Sequence, residues 1–203
     1  MQSKKIVLLN RPVGALKETD MGVFDETLSP LEPGEVLLQV EHLSVDAFIR
    51  TTFDEGAFHG TAGLGQAVMA LGTARVVDSR FDGLNQGDAV FGPVGAQTHA
   101  KLPGAMLQKL DESDLPARCS LGVLGLATGM TAYAGMAKVA QIKEGDTVVV
   151  SAAAGAVGSC ACQVAKNLGA RVIGIAGGSA KADYLLNEIG CDAAVDYKAD
   201  DLA

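Results

Sequence analysis

Three small residues near the middle of the chain are spaced as in a turn that binds phosphate. Ala153, Gly155 and Gly158 lie in the stretch SAAAGAVGS and match the pattern G-x-G-x-x-G, with alanine at the first position. In this pattern the first glycine makes a tight turn, the second lets the backbone approach a pyrophosphate, and the third lets the next helix pack closely. Two of the three glycines are retained, so the sequence predicts a dinucleotide-binding turn.

The residues that follow this turn are predicted to contact the anion. They are Ala156, Val157, Gly158 and Ser159. Backbone N–H groups at the N-terminus of a helix point towards a bound anion, and the Ser159 hydroxyl adds a donor. Small residues at these positions also serve plain helix–strand packing, and that alternative stays open. The apolar strand before the turn, with a helix and a second strand after it, favours a nucleotide.

The end of the second strand indicates which dinucleotide is bound. An NAD site places Asp or Glu there to accept from the ribose 2′-hydroxyl, whereas an NADP site offers a cation to the 2′-phosphate. The strand ends in Ala-Gly-Gly-Ser at positions 176–179, without a carboxylate, and Lys181 follows. The sequence therefore favours NADPH; the alternative is that Lys181 is one solvated helix lysine among several.

The elements that must position these residues fall into two groups. The first half contains four short aliphatic runs: KKIVLLN, GEVLLQVEHLSV, GTARVVDS and GDAVFGPV. They are separated by Pro-Gly, Asp-Gly and Gly-Asp pairs and predict a small barrel or sandwich. The long connection 51–72 is predicted to form a site wall. The stretch TGMTAYAGMAKVAQI is predicted to form a helix. After it the pattern predicts the order β-α-β-α-β, whose first strand is covered on both faces. Its two later helices are predicted to end at Gly169 and Gly190.

A β-α-β-α-β unit is one half of a doubly wound parallel sheet, and the nucleotide lies in the crevice between two such halves. The sequence ends in ADDLA after the third strand. We therefore expect half of the crevice to be absent from this chain, and a truncated, non-catalytic nucleotide-binding fragment is an alternative to an active enzyme.

Composition narrows the class of protein. Of the 203 residues 48% are hydrophobic and 20% are charged, which is ample for a packed core. A net charge of −8 argues against nucleic acid or anionic lipid as a partner. The uncharged segment 119–137 nears the length of a membrane span, but its glycines and threonines favour a core helix. The sequence predicts a cytoplasmic protein with four reduced cysteines, Cys119, Cys160, Cys162 and Cys191.

Several separated motifs together resemble one family. VVVSAAAGAVGS, GLATGMTAY, VIGIAGGSAKADYL and AAVDYK, with the N-terminal VLLNRPVG, LSVDAFIR and GTARVVDSR, resemble the zinc-independent medium-chain dehydrogenase/reductases. The closest resemblance is to the leukotriene B4 dehydrogenase, prostaglandin reductase and alkenal double-bond reductase group. It implies an α/β fold in which a GroES-like β-barrel catalytic domain (1–125) precedes the first half of a Rossmann doubly wound sheet (126–203).

The resemblance also implies an activity and a cofactor. NADPH would reduce the C=C bond of an α,β-unsaturated ketone or aldehyde by hydride transfer; NADPH:quinone reductase is the nearest alternative. Members of the group are often homodimers. Zinc is not expected, because Val45 and Asp46 stand where the zinc-dependent relatives have a ligand cysteine, and GLGQAVM stands where they have a His-Glu pair.

Individual positions carry roles from the same resemblance. Ala156 to Ser159 would hold the pyrophosphate, with Gly155 beside them in the cofactor site. Gly178, Ser179 and Lys181 would surround the 2′-phosphate, Tyr197 would lie by the adenosine, and Thr131 by the nicotinamide. Phe48, in DAFIR, replaces the tyrosine of the common DPYMR at the substrate pocket.

No catalytic residue is assigned. Tyr133 carries a hydroxyl but lies in an apolar helical pattern that predicts a core position, and His42, His59 and His99 are predicted to be structural.

Overall fold

A computed structural model of the protein describes residues 1–56, 58 and 60–199. The chain divides into two units, Met1–Leu121 and Gly122–Ala203. The assignment of a catalytic domain to 1–125 and a nucleotide domain to 126–203 stays a proposal.

The first unit is built from two antiparallel sheets. Its strands are β1 (Gln2–Leu8), β2 (Met21–Thr27), β3 (Glu35–Leu43), β4 (Gly72–Ser79), β5 (Ala89–Gly92), β6 (His99–Pro103) and β7 (Gln108–Lys109). β1 pairs with β2, and the other five form a sheet in the order β6-β3-β4-β5-β7. Val36 and Leu38 alternate with more exposed residues along β3, and Ala74 and Val76 do so along β4. The side-chain period of two thus places one face of this sheet in the core.

The long connection between β3 and β4 is anchored at several points. It begins with a short helix, α1 (Ala47–Thr51), and continues to Phe53, which is buried beside Leu8 and Val68. The Arg11 guanidinium donates to the carbonyl oxygens of Phe53 at 2.8 Å and Ala62 at 3.2 Å. These hydrogen bonds join the connection to the segment between β1 and β2. His59 lies outside the described residues.

The second unit contains a three-stranded parallel sheet with helices between its strands. β8 (Thr147–Val150) leads to α3 (Ala156–Asn167), β9 (Arg171–Ala176), α4 (Ser179–Tyr184) and β10 (Ala193–Asp196), with strand order β10-β9-β8. Before them lies α2 (Thr131–Tyr133), flanked by wider π-helical turns at Leu126–Met130 and Ala134–Val139. A further π-helical segment, Leu185–Ile189, extends α4. The predicted β-α-β-α-β order is confirmed.

Both predicted helix ends are confirmed by glycines in the left-handed region. Gly169 follows α3 with φ of +84°, and Gly190 ends the extension of α4 with φ of +79°. Glycine adopts this conformation without the steric cost that a Cβ would bring. The core of the unit lies between the sheet and the helices and contains Cys162, Ala165, Val172 and Leu185.

One sequence prediction about this unit is wrong. β8 was expected to be covered on both faces, but the Val149 side chain is 58% exposed. Among the described residues β8 is an edge strand, paired only with β9, and α3 packs against it without covering the other face. All four cysteines are free thiols. No helix in the described part of the chain combines the length and apolar character needed to cross a bilayer.

Candidate functional site

The turn between β8 and α3 accommodates alanine at the first fingerprint position without strain. The left-handed residue of this turn is Ala152, with φ of +48°, and Ala153 is not among the residues with positive φ. Ala153 is fully buried, and its N–H donates to the carbonyl oxygen of Ile175 at 3.0 Å. A glycine is therefore not required at position 153, because the backbone reverses direction one residue earlier.

The two retained glycines have different steric environments. A Cβ on Gly158 would overlap the carbonyl oxygen of Ala152 and lie 2.7 Å from the Cα of Ala153. Helix α3 therefore approaches the turn as closely as the third glycine of the fingerprint allows. A Cβ on Gly155 would lie 3.2 Å from the same carbonyl oxygen, and Gly155 has φ of −85°. Protein packing alone thus demands glycine at position 158 much more strongly than at position 155.

The first turn of α3 presents backbone donors beside these glycines. Ala156, Val157 and Gly158 are the first three residues of the helix, whose N–H groups have no acceptor within it. The N–H of Ser159 already donates to the carbonyl oxygen of Gly155 at 2.9 Å, and its hydroxyl donates to that of Ala156 at 3.2 Å. The amides of this turn that remain free of acceptors within the helix therefore span 156–158, one residue fewer than the sequence suggested.

A cavity of about 400 Å³ lies beside this turn, and its wall is formed mainly by the end of β8, the turn and the first residues of α3. The lining residues are Met136, Val149, Val150, Ser151, Ala152, Gly155, Val157, Gly158 and Ala161. The donor set and the space bare of side chains at Gly155 fit a pyrophosphate. Thr131 is not among the lining residues, and its hydroxyl donates to the carbonyl oxygen of Leu126 at 2.8 Å.

The second group of predicted residues gathers at the carboxyl ends of β9 and β10. Gly178 precedes α4 with φ of +98°, and Ser179 and Lys181 occupy the exposed first turn of that helix. Tyr197 follows β10 directly, and its ring lies over Gly177, where a Cβ would be 2.6 Å from the Tyr197 Cζ. The fold therefore brings together the residues predicted to surround the adenosine end of the cofactor.

The sequence analysis missed Asp196, which also lies at this edge. Asp196 is the last residue of β10 and pairs with Ala176 in the parallel register. Its Oδ1 accepts the N–H of Gly178 at 2.7 Å and that of Lys198 at 3.0 Å, and these bonds lower the pKa of the carboxyl group. β9 ends without a carboxylate, as expected, but the neighbouring strand supplies one.

The first unit contains a separate apolar cavity of about 310 Å³. Helix α1 and the residue before it contribute Asp46, Ile49 and Arg50 to its wall, together with Met21, Phe53 and other apolar residues. Phe48 is not among the lining residues. Asp46 Oδ2 is buried and has no hydrogen-bond partner among the described residues. Arg50 forms an ion pair with Asp54 at 3.1 Å and donates to the carbonyl oxygen of Gly14.

The prediction that Tyr133 belongs to the core is wrong. Its side chain is 50% exposed and lines a cavity of about 570 Å³ between α2 and α3, opposite Cys160 and Val164. The ammonium group of Lys138 lies 5.8 Å from the ring centroid, which suits a cation–π contact. The sequence pattern predicted helical structure here correctly, but it could not show which part of the helix surface is exposed.

The described histidines each lie beside a threonine hydroxyl. His42 Nδ1 is 3.1 Å from Thr73 Oγ1, and His99 Nδ1 is 3.3 Å from Thr98 Oγ1. Within residues 1–56, 58 and 60–199, no three His, Cys, Asp or Glu side chains are grouped as metal ligands.

Comparison with known proteins places this architecture in a family. A model of the N-terminal domain of oxidoreductases matches residues 4–110, and a model described as zinc-binding dehydrogenase matches residues 156–203. The chain belongs to the medium-chain dehydrogenase/reductase family, in the group of the alkenal, curcumin and prostaglandin reductases. This bears out the family resemblance and the fold class.

Three relatives illustrate the similarity. The chain is 42% identical to a putative NADP-dependent oxidoreductase, YfmJ, of Bacillus subtilis, over 98% of this chain and 59% of that protein. It is 35% identical to the NADP⁺-dependent 2-alkenal reductase of Nicotiana tabacum, over 98% of this chain and 59% of that protein. The crystal structure of CurA with NADPH from Vibrio vulnificus superposes with a TM-score of 0.88 at 34% identity, over 97% of this chain and 58% of that one. The chain thus spans about three fifths of the length of these relatives.

Proposed function

We propose that this chain belongs to an NADPH-dependent oxidoreductase and contains the binding surface for the pyrophosphate and adenosine of the cofactor. The observation that carries this proposal is the SAAAGAVGS turn. There Gly158 lets α3 pack on the strand end, and the N–H groups of 156–158 remain available to an anion. The names of the relatives, NADP-dependent oxidoreductase and 2-alkenal reductase, support the same cofactor.

The chain's own residues divide the binding of the cofactor between two strand ends. The amides of Ala156, Val157 and Gly158, beside Gly155, would hold the pyrophosphate, with Ser159 behind them. Gly178, Ser179 and Lys181 would surround the 2′-phosphate, where an exposed lysine supplies the countercharge. Tyr197 would contact the adenosine. When bound, NADPH supplies a hydride for transfer to the substrate.

The proposed substrate is an α,β-unsaturated ketone or aldehyde, whose C=C bond is reduced without zinc. Relatives named 2-alkenal reductase and prostaglandin reductase, at 35 to 39% identity, support this class. The apolar cavity of the first unit, with its wall at α1, is the surface that we assign to the substrate's apolar body. The roles of Phe48 at the substrate pocket and of Thr131 at the nicotinamide stay predictions, since neither side chain reaches a cavity described above.

The remaining parts of the proposal concern partners and location. A net charge of −8 argues against nucleic acid or anionic lipid as a partner and supports a small-molecule substrate. The four free cysteines support a location in the cytoplasm, where thiols are kept reduced.

The cofactor proposal is tested by calorimetric titration with NADPH and NADH. We expect NADPH to bind at least about tenfold more tightly, which corresponds to about 1.4 kcal/mol from contacts with the 2′-phosphate. Lys181→Ala should remove most of this preference while changing NADH affinity by less than about twofold. Lys143→Ala, an exposed lysine at the opposite end of β8, is the matched control. Equal affinities of the unmodified protein for NADPH and NADH would refute the cofactor assignment.

The substrate proposal has its own measurement. Loss of NADPH absorbance is followed with an alkenone and, separately, with a quinone. We expect turnover with the alkenone. Turnover with the quinone alone would assign the protein to the quinone reductases, and binding of NADPH without turnover of either would support the non-catalytic alternative.

A further inference from the structure

The carboxylate of Asp196 joins the ends of two parallel strands. Its Oδ1 accepts the N–H of Gly178, which follows β9, at 2.7 Å, and the N–H of Lys198, just after β10, at 3.0 Å. The backbone adds a second link, because the N–H of Tyr197 donates to the carbonyl oxygen of Ala176 at 3.1 Å. Two consecutive residues, Asp196 and Tyr197, thus fasten the end of β9 to the end of β10.

The segment between β9 and α4 consists of residues with wide conformational freedom. Gly177 and Gly178 are consecutive glycines, and glycine has the widest conformational freedom of any residue. Gly178 has φ of +98°, and no side-chain hydrogen bond caps α4 at this position. A Cβ on Gly178 would meet no atom within 4 Å, so steric contacts do not fix its conformation. Instead, the Asp196 carboxylate holds Gly178 through a hydrogen bond, and the Tyr197 ring packs against Gly177.

We propose that Asp196 is a positioning residue for recognition of the adenosine 2′-phosphate. This inference rests on the proposed NADPH site. By accepting the Gly178 N–H, Asp196 fixes the path by which the chain enters α4, and so fixes where Ser179 and Lys181 stand. The group that matters is the acceptor oxygen. The negative charge itself opposes a phosphate nearby, and the two N–H donors that converge on Oδ1 offset it.

The oxygen acceptor of Asp196 and its negative charge can be tested separately by substitution. Asparagine keeps an oxygen acceptor at nearly the same place and removes the charge, whereas alanine removes both. If Asp196 acts through Gly178, then Asp196→Asn retains recognition of the 2′-phosphate and Asp196→Ala loses it. If Asp196 instead accepted directly from a ribose 2′-hydroxyl, Asp196→Ala would weaken 5′-AMP, the ligand that keeps this hydroxyl, rather than the bisphosphate.

The chain offers a matched control at the other end of the same strand pair. Asp192 precedes β10, and its Oδ2 accepts the N–H of Val172 in β9 at 2.6 Å. Its Oδ1 forms an ion pair with Lys166 at 2.8 Å. Asp192 therefore has a similar structural role, since it joins β9 to the start of β10, but it lies away from the glycine turn.

The experiment titrates the full chain with adenosine 2′,5′-bisphosphate and with 5′-AMP, which probe only the adenosine end of the site. We expect Asp196→Ala to weaken the bisphosphate about tenfold and 5′-AMP less than twofold, as for the loss of one charged hydrogen bond. Asp196→Asn should stay within about threefold of the unmodified protein for both ligands. Asp192→Ala should leave the ratio of the two affinities unchanged. Amide hydrogen exchange at Gly178 should be accelerated only in Asp196→Ala.

The outcomes distinguish this inference from the proposed function. If the unmodified protein does not prefer the bisphosphate, the NADPH site itself is wrong and the inference falls with it. If the unmodified protein prefers the bisphosphate and Asp196→Ala retains this preference, the role of Asp196 is refuted while the proposed NADPH site is supported. Equal weakening of both ligands, or an Asn variant that behaves like the Ala variant, also refutes it. Should Asp196→Ala not fold, exchange of the Gly178 amide in the unmodified protein decides: slow exchange is expected from its hydrogen bond to Asp196, and unprotected exchange would refute the role of Asp196.

Discussion

The two glycine turns of the second unit lie at the ends of neighbouring parallel strands but are held in different ways. The turn after β8 is closed by its own segment, because Gly158 packs directly against the backbone of Ala152 and Ala153. The turn after β9 is held from outside, by a carboxylate 18 residues further along the chain and by the Tyr197 ring over Gly177. One turn is therefore specified locally and the other by strand pairing.

This difference explains which part of the candidate site is visible in the sequence. A turn closed by its own backbone needs small residues at fixed spacing, and such spacing can be recognised directly. A turn held by a neighbouring strand needs only glycines locally, and its conformation depends on the register of the sheet. The variants described below change either the backbone contacts within the turn after β8 or the links between β9 and β10, and leave the other kind of contact intact.

The largest effect is expected where the local constraint is tightest. Gly158→Ala introduces a Cβ that overlaps the Ala152 carbonyl, so we expect a loss of about 2 to 3 kcal/mol in the free energy of unfolding. Gly155→Ala, whose Cβ would lie 3.2 Å from the same oxygen, should cost less than about 1 kcal/mol. Urea unfolding of the two variants measures the difference. Equal losses would mean that α3 does not approach the turn as closely at Gly158 as described.

A smaller effect separates the two alanines of the same turn. Ala152 holds a positive φ, so Ala152→Gly should raise the free energy of unfolding by about 1 kcal/mol through relief of strain. Ala153→Gly restores the fingerprint glycine, yet it should destabilise the protein by about 1 kcal/mol because it adds backbone freedom and removes a buried methyl group. Thermal unfolding of both variants is the measurement. Stabilisation by Ala153→Gly would contradict the description of this turn.

The smallest effect concerns pH and tests the constraint between strands. The ion pair with Lys166 and the N–H of Val172 lower the pKa of Asp192, and the N–H groups of Gly178 and Lys198 lower that of Asp196. A carboxylate whose pKa is lowered by folding contributes stability above its unfolded pKa, about 3.9, and this contribution disappears as the pH falls through its lower folded pKa.

Acid unfolding of the Asp192→Asn variant checks this linkage. Its stability should fall less steeply below about pH 4 than that of the unmodified protein, since asparagine does not titrate. Asp183→Asn, on the exposed surface of α4, serves as the control. Parallel stability curves for the Asp192→Asn variant and the unmodified protein would show that Asp192 does not stabilise the strand pair through its charge.

Much of the fold was predictable because its signals are local. Apolar runs of strand length, helical spacing between them and glycines at 169 and 190 predicted the β-α-β-α-β order, and the structure confirms it. In the first unit the runs of β1, β3, β4 and β5 were recognised, whereas β2, β6 and β7 were not. β2 is largely exposed and β7 has only two residues, so neither carries a clear apolar alternation.

Several features of the candidate site depend on packing and could not be predicted. Tyr133 was assigned to the core because its neighbours are apolar, but its own position on α2 is half exposed. Phe48 lies beside Ile49, yet Ile49 lines the apolar cavity and Phe48 does not. Neighbouring residues on a helix point in different directions, and only the packed structure decides which of them borders a cavity.

The sequence by itself determined the order of strands and helices, the glycine turn proposed to bind a pyrophosphate, and the absence of a carboxylate at the end of β9. Each of these is specified by residues within a few positions of one another. The tertiary structure alone decided that Asp196 and Tyr197 meet the glycines after β9. Parallel pairing places Asp196 opposite Ala176, twenty residues earlier in the chain, and α4, which connects the two strands, packs against both of them.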